Sequence, residues 1–577
     1  MRAHRWQQWI IVAIAFLIFA AGAGAQEQPT NFSRQVDELL AEWNRTDAPG
    51  AVVAVVRDGK IVFQNAYGMA DLERGVALTP QSAFEIGSIS KQFTAMCVLL
   101  LEHDGKLALD DDIRATIPEM PAYEETITLR HLLHHTSGIR DIETLVPLAG
   151  LPWVNYQSPS DQLKLIARQK ALNFSPNSRF LYSNSGYFLL ALVVERVSGR
   201  SLRDFAEERI FEPLGMRNTV FWDDPKQVIA NRAIAYSPNP DGGWGMEMWN
   251  LPFAGPAGLY TTVGDLALWD ANFYDNRLGG DAELIERMET SGVLDDGEAT
   301  EYAFGLDVRT KWGLPAVRHG GAWMGYRAFM MRFPKQRLTM IFLSNASSID
   351  FRGTSIARLY LADHLDSDDD DVVFEPPETI ELSPEELASY EGAYWAESAG
   401  LLRTIEVRDG SLHYVRGEDN TTELGAVEPG NFFMLETDFR VDVVFNTGAE
   451  NPEGTLAART MTVVIEGDDD LVFNVVTPPS GADLSNLAGN YWSDELQREL
   501  HLQVDEDRLL VFWAGDPKPA RALPIGTDNF LIRQFIPVPW SPMDVRLRAE
   551  RNADGQIVRL TLDCRMVSGI VLTRRDS

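Results

Sequence analysis

At 577 residues the chain is longer than one hydrophobic core serves, so two to four domains are expected. Its 45% hydrophobic, 10% aromatic and 23% charged residues are those of a globular protein. A formal net charge of −33 argues against nucleic acid and anionic membrane surfaces as partners.

The chain opens on Arg2 and Arg5, an apolar run from Trp9 to Ala21, and the small residues Ala23-Gly24-Ala25. This pattern predicts a secretory signal peptide over residues 1–25, with the mature chain starting at Gln26 in the periplasm or the medium. The rival is a retained anchor helix, for which the run is short. No later stretch is long and apolar enough to cross a membrane, so no membrane association is expected of the mature form. Cys97 and Cys564 are the two cysteines, expected as separate thiols, and no disulfide framework is predicted.

Ser33 is expected to cap a helix whose apolar residues Val36, Leu39, Leu40 and Trp43 recur at helical spacing. Ala51–Val56, the turn Asp58-Gly59 and Ile61–Phe63 predict a β-hairpin. Ser88-Ile89-Ser90-Lys91 then leads into an apolar run ending at Leu101, which places Ser88 and Lys91 on one face of a helix's first turn. A serine at a helix N-terminus beside an amine of lowered pKa can act as a covalent nucleophile; the bland alternative is an N-cap and a solvated lysine. His131, His134 and His135 are close enough to suggest a metal, but no third and fourth ligand stands at suitable spacing. A helix end closed by Gly138 is expected there instead, with no metal or other cofactor. Tyr182 and Asn184 sit in a loop before the apolar helix Phe188–Val197. Arg318-His319-Gly320-Gly321-Ala322 precedes the strand Ala328–Phe333, the turn at Pro334 and a partner strand Leu338–Leu343. Two glycines beside a histidine let a substrate lie against the backbone.

Taken in order, Ser88-x-x-Lys91, Tyr182-x-Asn184 and His319-Gly320-Gly321 resemble the three motifs of the serine β-lactamase and penicillin-binding-protein superfamily. The resemblance is to the branch holding class C β-lactamases, DD-peptidases, D-aminopeptidases and related esterases, and it covers roughly residues 31 to 360. It implies an α/β (α+β) catalytic domain over 26–362, an antiparallel sheet flanked by helices plus an all-helical subdomain. It also implies roles. Ser88 is the nucleophile that forms an acyl-enzyme, Lys91 accepts or relays its proton, and Tyr182 shuttles a proton to the leaving group or from water. Asn184 orients substrate, and Gly320, Gly321 and Ala322 line the substrate's path. The backbone N–H groups of Ser88 and Ala322 form the oxyanion hole. His319 stands where many relatives carry lysine.

The run Asp366–Asp371 and the prolines after it predict a solvated acidic linker over 363–383. Beyond it Leu387–Trp395 aligns with Leu484–Trp492 at an offset of 97 residues. Alternating apolar residues and the turns Asp409-Gly410, Gly467-Asp468 and Asp554-Gly555 predict two small antiparallel β-barrels, lipocalin-like, over 384–478 and 482–577. These are expected to shape access to the cleft without carrying chemistry. A catalytic domain followed by two such barrels resembles the bacterial D-aminopeptidase architecture.

Two functions are open at this point. One is a secreted serine hydrolase acting on a small peptide, amide or ester; the other is a non-turnover binder of a peptidoglycan fragment or antibiotic. The intact set Ser88, Lys91, Tyr182 and His319 favours the hydrolase, since a binder needs no nucleophile. A neutral histidine at 319 is expected to favour uncharged or amine-bearing amides and esters over β-lactams and DD-peptide stems, which carry a carboxylate.

Overall fold

The computed structural model describes residues 30–575, apart from 152–156, 240, 248–252, 350–352, 363–364, 366–376 and short stretches of the C-terminal region (397–398, 418–419, 436–439, 448–457, 466–469, 477–483, 485, 507, 514–517, 527 and 537–542). The predicted signal peptide, most of the acidic linker and the Gly467-Asp468 turn therefore lie outside the described residues.

Six strands build the central antiparallel sheet: β1 (Ala51–Arg57), β2 (Lys60–Tyr67), β3 (Asp307–Lys311), β4 (Leu314–Trp323), β5 (Tyr326–Phe333) and β6 (Leu338–Ser344). They lie side by side as β3-β4-β5-β6-β1-β2, so the chain's early hairpin closes against the last strand to join this sheet. The hairpin turns where the sequence places it, with Asp58 and Gly59 both at positive φ (51° and 71°), as a two-residue turn between right-twisted strands requires. Strand β1 is apolar on both faces because both are covered. Val53 and Val55 pack under α1 (Thr30–Leu39) and the helix Gly353–Leu361, while Val52, Ala54 and Val56 face the helical side. Helix α1 already includes Thr30, so Ser33 lies inside it rather than at its cap; burial of Phe32 against the sheet outweighs the serine's capping preference.

On the other face lie α2 (Ser90–His103), α3 (Leu129–Leu133), α4 (Ile142–Leu148), α5 (Pro159–Ala167) and α6 (Asn184–Ser198). Helix α6 ends at Gly199 in the left-handed conformation, a glycine cap. The expected helix end at Gly138 comes earlier. Helix α3 stops at Leu133, and His135, at φ 59°, turns the chain away before Gly138 is reached.

Two closed antiparallel barrels of eight strands follow, one from Gly392 to Val476 and one from Gly489 to Arg575. The repeat is legible in their hydrogen bonds: Tyr394 donates to the Tyr390 carbonyl at 2.8 Å, and Tyr491 to the Leu487 carbonyl at 2.8 Å. The barrels differ in attachment. The interior of the first is an apolar cluster of its own, whereas the interior of the second is continuous with the core around α2 and α6. The second barrel also drives Glu495 into the catalytic domain, where it pairs with Arg140 at 2.6 Å, the two side chains 4% and 0% exposed. The hairpin turn at Met566 accepts from the Asp141 N–H at 3.3 Å and from the Asn173 amide at 3.0 Å. The second barrel is thus bound into the domain that holds the cleft.

Candidate active site

From Ser82 to Leu101 every residue is buried except Ser88, which is half-exposed. It sits in the single helical turn Gly87–Ile89 that leads into α2, and Lys91 is the second residue of that helix. The Lys91 Nζ donates to Ser88 Oγ at 3.0 Å, to Asn184 Oδ1 at 2.7 Å and to the Pro256 carbonyl at 2.9 Å. It also lies 4.7 Å from the centre of the Tyr182 ring. Ser88 is near enough to the Tyr182 phenol to temper its pKa. The first two motifs thus meet around one amine.

Burial sets the charge of this cluster. It pushes the Lys91 ammonium down to about 7, against the pull of Glu143, Asp141 and Glu85. It pushes the Tyr182 phenol well above its ordinary value. A lysine near neutrality is a proton acceptor, while a phenol held protonated is a donor.

The carboxylates around Lys91 have no motif in the sequence. Asp141 caps α4, accepting the Glu143 N–H at 3.0 Å, and it also accepts the Asn184 N–H at 2.6 Å. Glu143 lies near Asn184, and burial with the Asp141 charge beside it raises its carboxyl to about 8. Asn184 accepts from the Lys91 amine, so its side chain helps to hold the lysine in place. Glu85 is buried beneath the turn that carries Ser88, accepting from the Gly87 N–H at 2.9 Å and the Gly258 N–H at 2.6 Å.

The third motif lies on β4. Gly321 passes so close to the turn that carries Ser88 that a Cβ there would stand 1.9 Å from the Ile86 carbonyl oxygen. Gly87, at φ +52°, faces it: a Cβ would stand 2.6 Å from the Ala322 nitrogen. This contact sets the Gly87–Ile89 turn directly against the strand at Ala322. Gly87→Ala is therefore expected to displace the Ala322 donor and lower kcat by about a hundred- to a thousandfold. Steady-state kinetics on a chromogenic ester check it, and a loss under fivefold would contradict it.

His319 is buried and neutral, since burial and then the Lys91 charge press its pKa down to about 4. Its Nδ1 lies 2.6 Å from the Gly320 carbonyl and its Nε2 2.9 Å from the Tyr302 hydroxyl. Only one tautomer satisfies both contacts: Nδ1–H donates to Gly320, and Nε2 accepts from Tyr302. Tyr302, which no sequence signal marks, packs between His135 and His319, and its carbonyl lies 3.1 Å from His134 Nδ1. His135 Nδ1 accepts the Ser183 N–H at 3.1 Å, and His131 Nδ1 accepts the Thr128 N–H at 3.3 Å. These histidines fasten the loops of the cleft. Among the described residues no group of three or more His, Cys, Asp or Glu is arranged to hold a metal.

An accessible serine with a buried amine on its hydroxyl and a protonated phenol beside that amine is the arrangement of a serine hydrolase. A sequence profile of the β-lactamase family matches residues 32–363, and the chain belongs to that family. A D-aminopeptidase of Brucella anthropi is 27% identical over 526 residues, which is 89% of this chain and 93% of the relative. A D-aminopeptidase of Gluconobacter oxydans is 26% identical over 460 residues, 78% of this chain and 81% of the relative. The octameric penicillin-binding protein homologue from Pyrococcus abyssi matches with a TM-score of 0.54 at 23% identity. It covers 77% of this chain and 99% of its own, a likeness of fold. The relatives and the site together support a serine amidase or peptidase.

Proposed function

We propose that the protein is an exported D-amino-acid peptidase or amidase working through an acyl-enzyme on Ser88. The observation that carries this reading is Lys91, held between Ser88 and Asn184 with its ammonium pressed toward neutrality. Neutral Lys91 takes the Ser88 proton as Oγ attacks the carbonyl carbon. The oxyanion forms against the Ser88 and Ala322 amides. Tyr182 gives its proton to the departing amine and recovers from Lys91 the proton that the lysine took from Ser88. A water then attacks the ester by the reverse path and frees Ser88.

Glu143 supports a substrate with a free amine. Its half-buried carboxyl lies against Asn184 in the cleft, and an arriving ammonium favours its ionised form. His319 argues against a carboxylate next to the scissile bond, since its ring carries no charge at neutral pH. Losing one charge-assisted hydrogen bond forfeits about 1.5–3 kcal/mol, roughly ten- to a hundredfold in affinity.

The test is kcat/KM on a D-alanyl amide, a short-chain ester and a cephalosporin, for the wild type and His319→Lys. The amide or the ester is expected to be fastest in the wild type, with His319→Lys moving preference toward the cephalosporin. A wild type that opens the cephalosporin fastest would overturn the substrate assignment while leaving the serine chemistry standing. Export is tested separately: N-terminal sequencing of the soluble periplasmic or secreted protein is expected to begin at Gln26, and a full-length, membrane-pelleting product would contradict it.

A further inference from the structure

A second cavity, of about 420 Å³, opens where the catalytic domain and the two barrels meet. Four arginines line it, Arg179, Arg546, Arg548 and Arg565, with Asp563 the one acidic side chain and Trp395 the aromatic wall. The three units each contribute. Arg179 comes from the loop before α6, Trp395 from the first barrel, and Arg546 and Arg548 from the second-barrel strand Met543–Arg551. On that strand Val545 and Leu547 point into the barrel, so the alternation turns both arginines outward. Asp563 pairs with Arg548, whose Nε donates to it at 2.9 Å, and accepts the Gly569 N–H at 2.7 Å, so four guanidinium groups on the wall still outnumber one carboxylate. Arg179, Arg548 and Arg565 are exposed, and the Arg546 guanidinium stands 5.9 Å from the Trp395 ring.

Such a concentration of positive charge is unexpected in a chain of net charge −33. Chance surface placement would scatter the arginines among carboxylates, as the exposed ion pairs elsewhere show. Guanidinium groups converging on a concave wall offer planar paired donors, the geometry that carboxylate and phosphoryl oxygens accept. A concave site of one sign also focuses the field on an incoming ion. We propose that the junction cavity is an anion-binding site for a carboxylate- or phosphoryl-bearing molecule whose apolar body lies on Trp395.

The cavity is joined to the active site by covalent chain and by hydrogen bonds. Leu181, on its wall, is the residue before Tyr182. The hairpin carrying Arg565 also carries Met566, whose carbonyl accepts the Asp141 N–H. The anion has two sources with the same chemistry: the distal carboxylate of a peptide lying in the cleft, or a free anion that binds by itself. It is not the carboxylate that His319 disfavours, since His319 is not among the residues of this wall.

The experiment uses the full chain and the double variant Arg179→Gln/Arg565→Gln, two exposed positions outside the catalytic set. Calorimetric titration with citrate and with inorganic phosphate is expected to show salt-dependent binding to the wild type, weakened at least tenfold in the variant. Equal melting temperature and equal fluorophosphonate labelling of Ser88 establish that the variant is folded. Two D-alanyl peptides, one ending in a carboxylate and one in a carboxamide, then separate the sources. A carboxylate preference of tenfold or more in kcat/KM, lost in the variant, identifies the substrate's own distal end. Citrate binding with no such preference identifies a free anion. Citrate and phosphate that bind the wild type no more tightly than the variant, with no carboxylate preference, overturn the proposal. The calorimetric arm does not depend on turnover, so failure of the peptidase reading leaves it intact.

Discussion

Lys91→Met is expected to lower kcat by roughly a thousandfold or more, because nucleophile and base act as a unit. The lysine makes three hydrogen bonds with one amine, and only one of them is to Ser88. The contacts to Asn184 and the Pro256 carbonyl hold the nitrogen where its lone pair, once a proton is lost, faces the hydroxyl. Burial makes that loss accessible at about 7. The sign follows directly: raising the pH removes the Lys91 proton, so the fraction of competent base rises. The kcat/KM of the wild type is therefore expected to climb along one limb centred near pH 7 and then level off. Glu143 shares the same field with its own carboxyl raised to about 8, so the observed limb belongs to the interacting pair. Glu143→Gln takes away the negative charge that develops on Glu143 as the pair titrates along this limb, and is expected to move the limb to lower pH. A profile that is flat from pH 5.5 to 9, or unmoved in Glu143→Gln, would contradict this assignment.

Glu495→Ala is the second large effect, although Glu495 belongs to a barrel without a reacting group. Removing it leaves the fully buried Arg140 charge without its carboxylate partner, an error that costs about 3–5 kcal/mol when one member of a buried pair is deleted. Arg140 precedes Asp141 in the chain, and its carbonyl accepts the Ser185 hydroxyl at 2.7 Å. The destabilised segment is thus the one that positions Asn184 and, through it, Lys91. Denaturant unfolding is expected to show the full loss, and kcat is expected to fall with it. Arg140→Met/Glu495→Met removes both charges together and is expected to recover most of the stability, since apolar replacements of a buried pair are often neutral. A Glu495→Ala chain within 0.5 kcal/mol of the wild type would show the barrel to be an appendage.

This contact also shows where the sequence stops being readable. Ser88-x-x-Lys91, Tyr182-x-Asn184 and His319-Gly320-Gly321 were legible because each is a local pattern, and the fold brings all three together. The Asp58-Gly59 hairpin and the repeat of Tyr394 in Tyr491 were legible for the same reason. Arg140 and Glu495 are 355 residues apart, and neither sits in a pattern that marks it. Tyr302 and Glu143 likewise take their meaning from neighbours supplied by other elements, His319 for one and Asn184 for the other. The Ser33 cap failed because local propensity yielded to the packing of Phe32.

Ser88 is the single nucleophile in the mechanism proposed for this protein. Intact mass spectrometry of the full chain after exposure to a fluorophosphonate, followed by peptide mapping, tests this most directly. One adduct per chain is expected, on the peptide containing Ser88, slowed in Lys91→Met and absent in Ser88→Ala. Labelling that persists in Ser88→Ala, or that maps to another peptide, would contradict it.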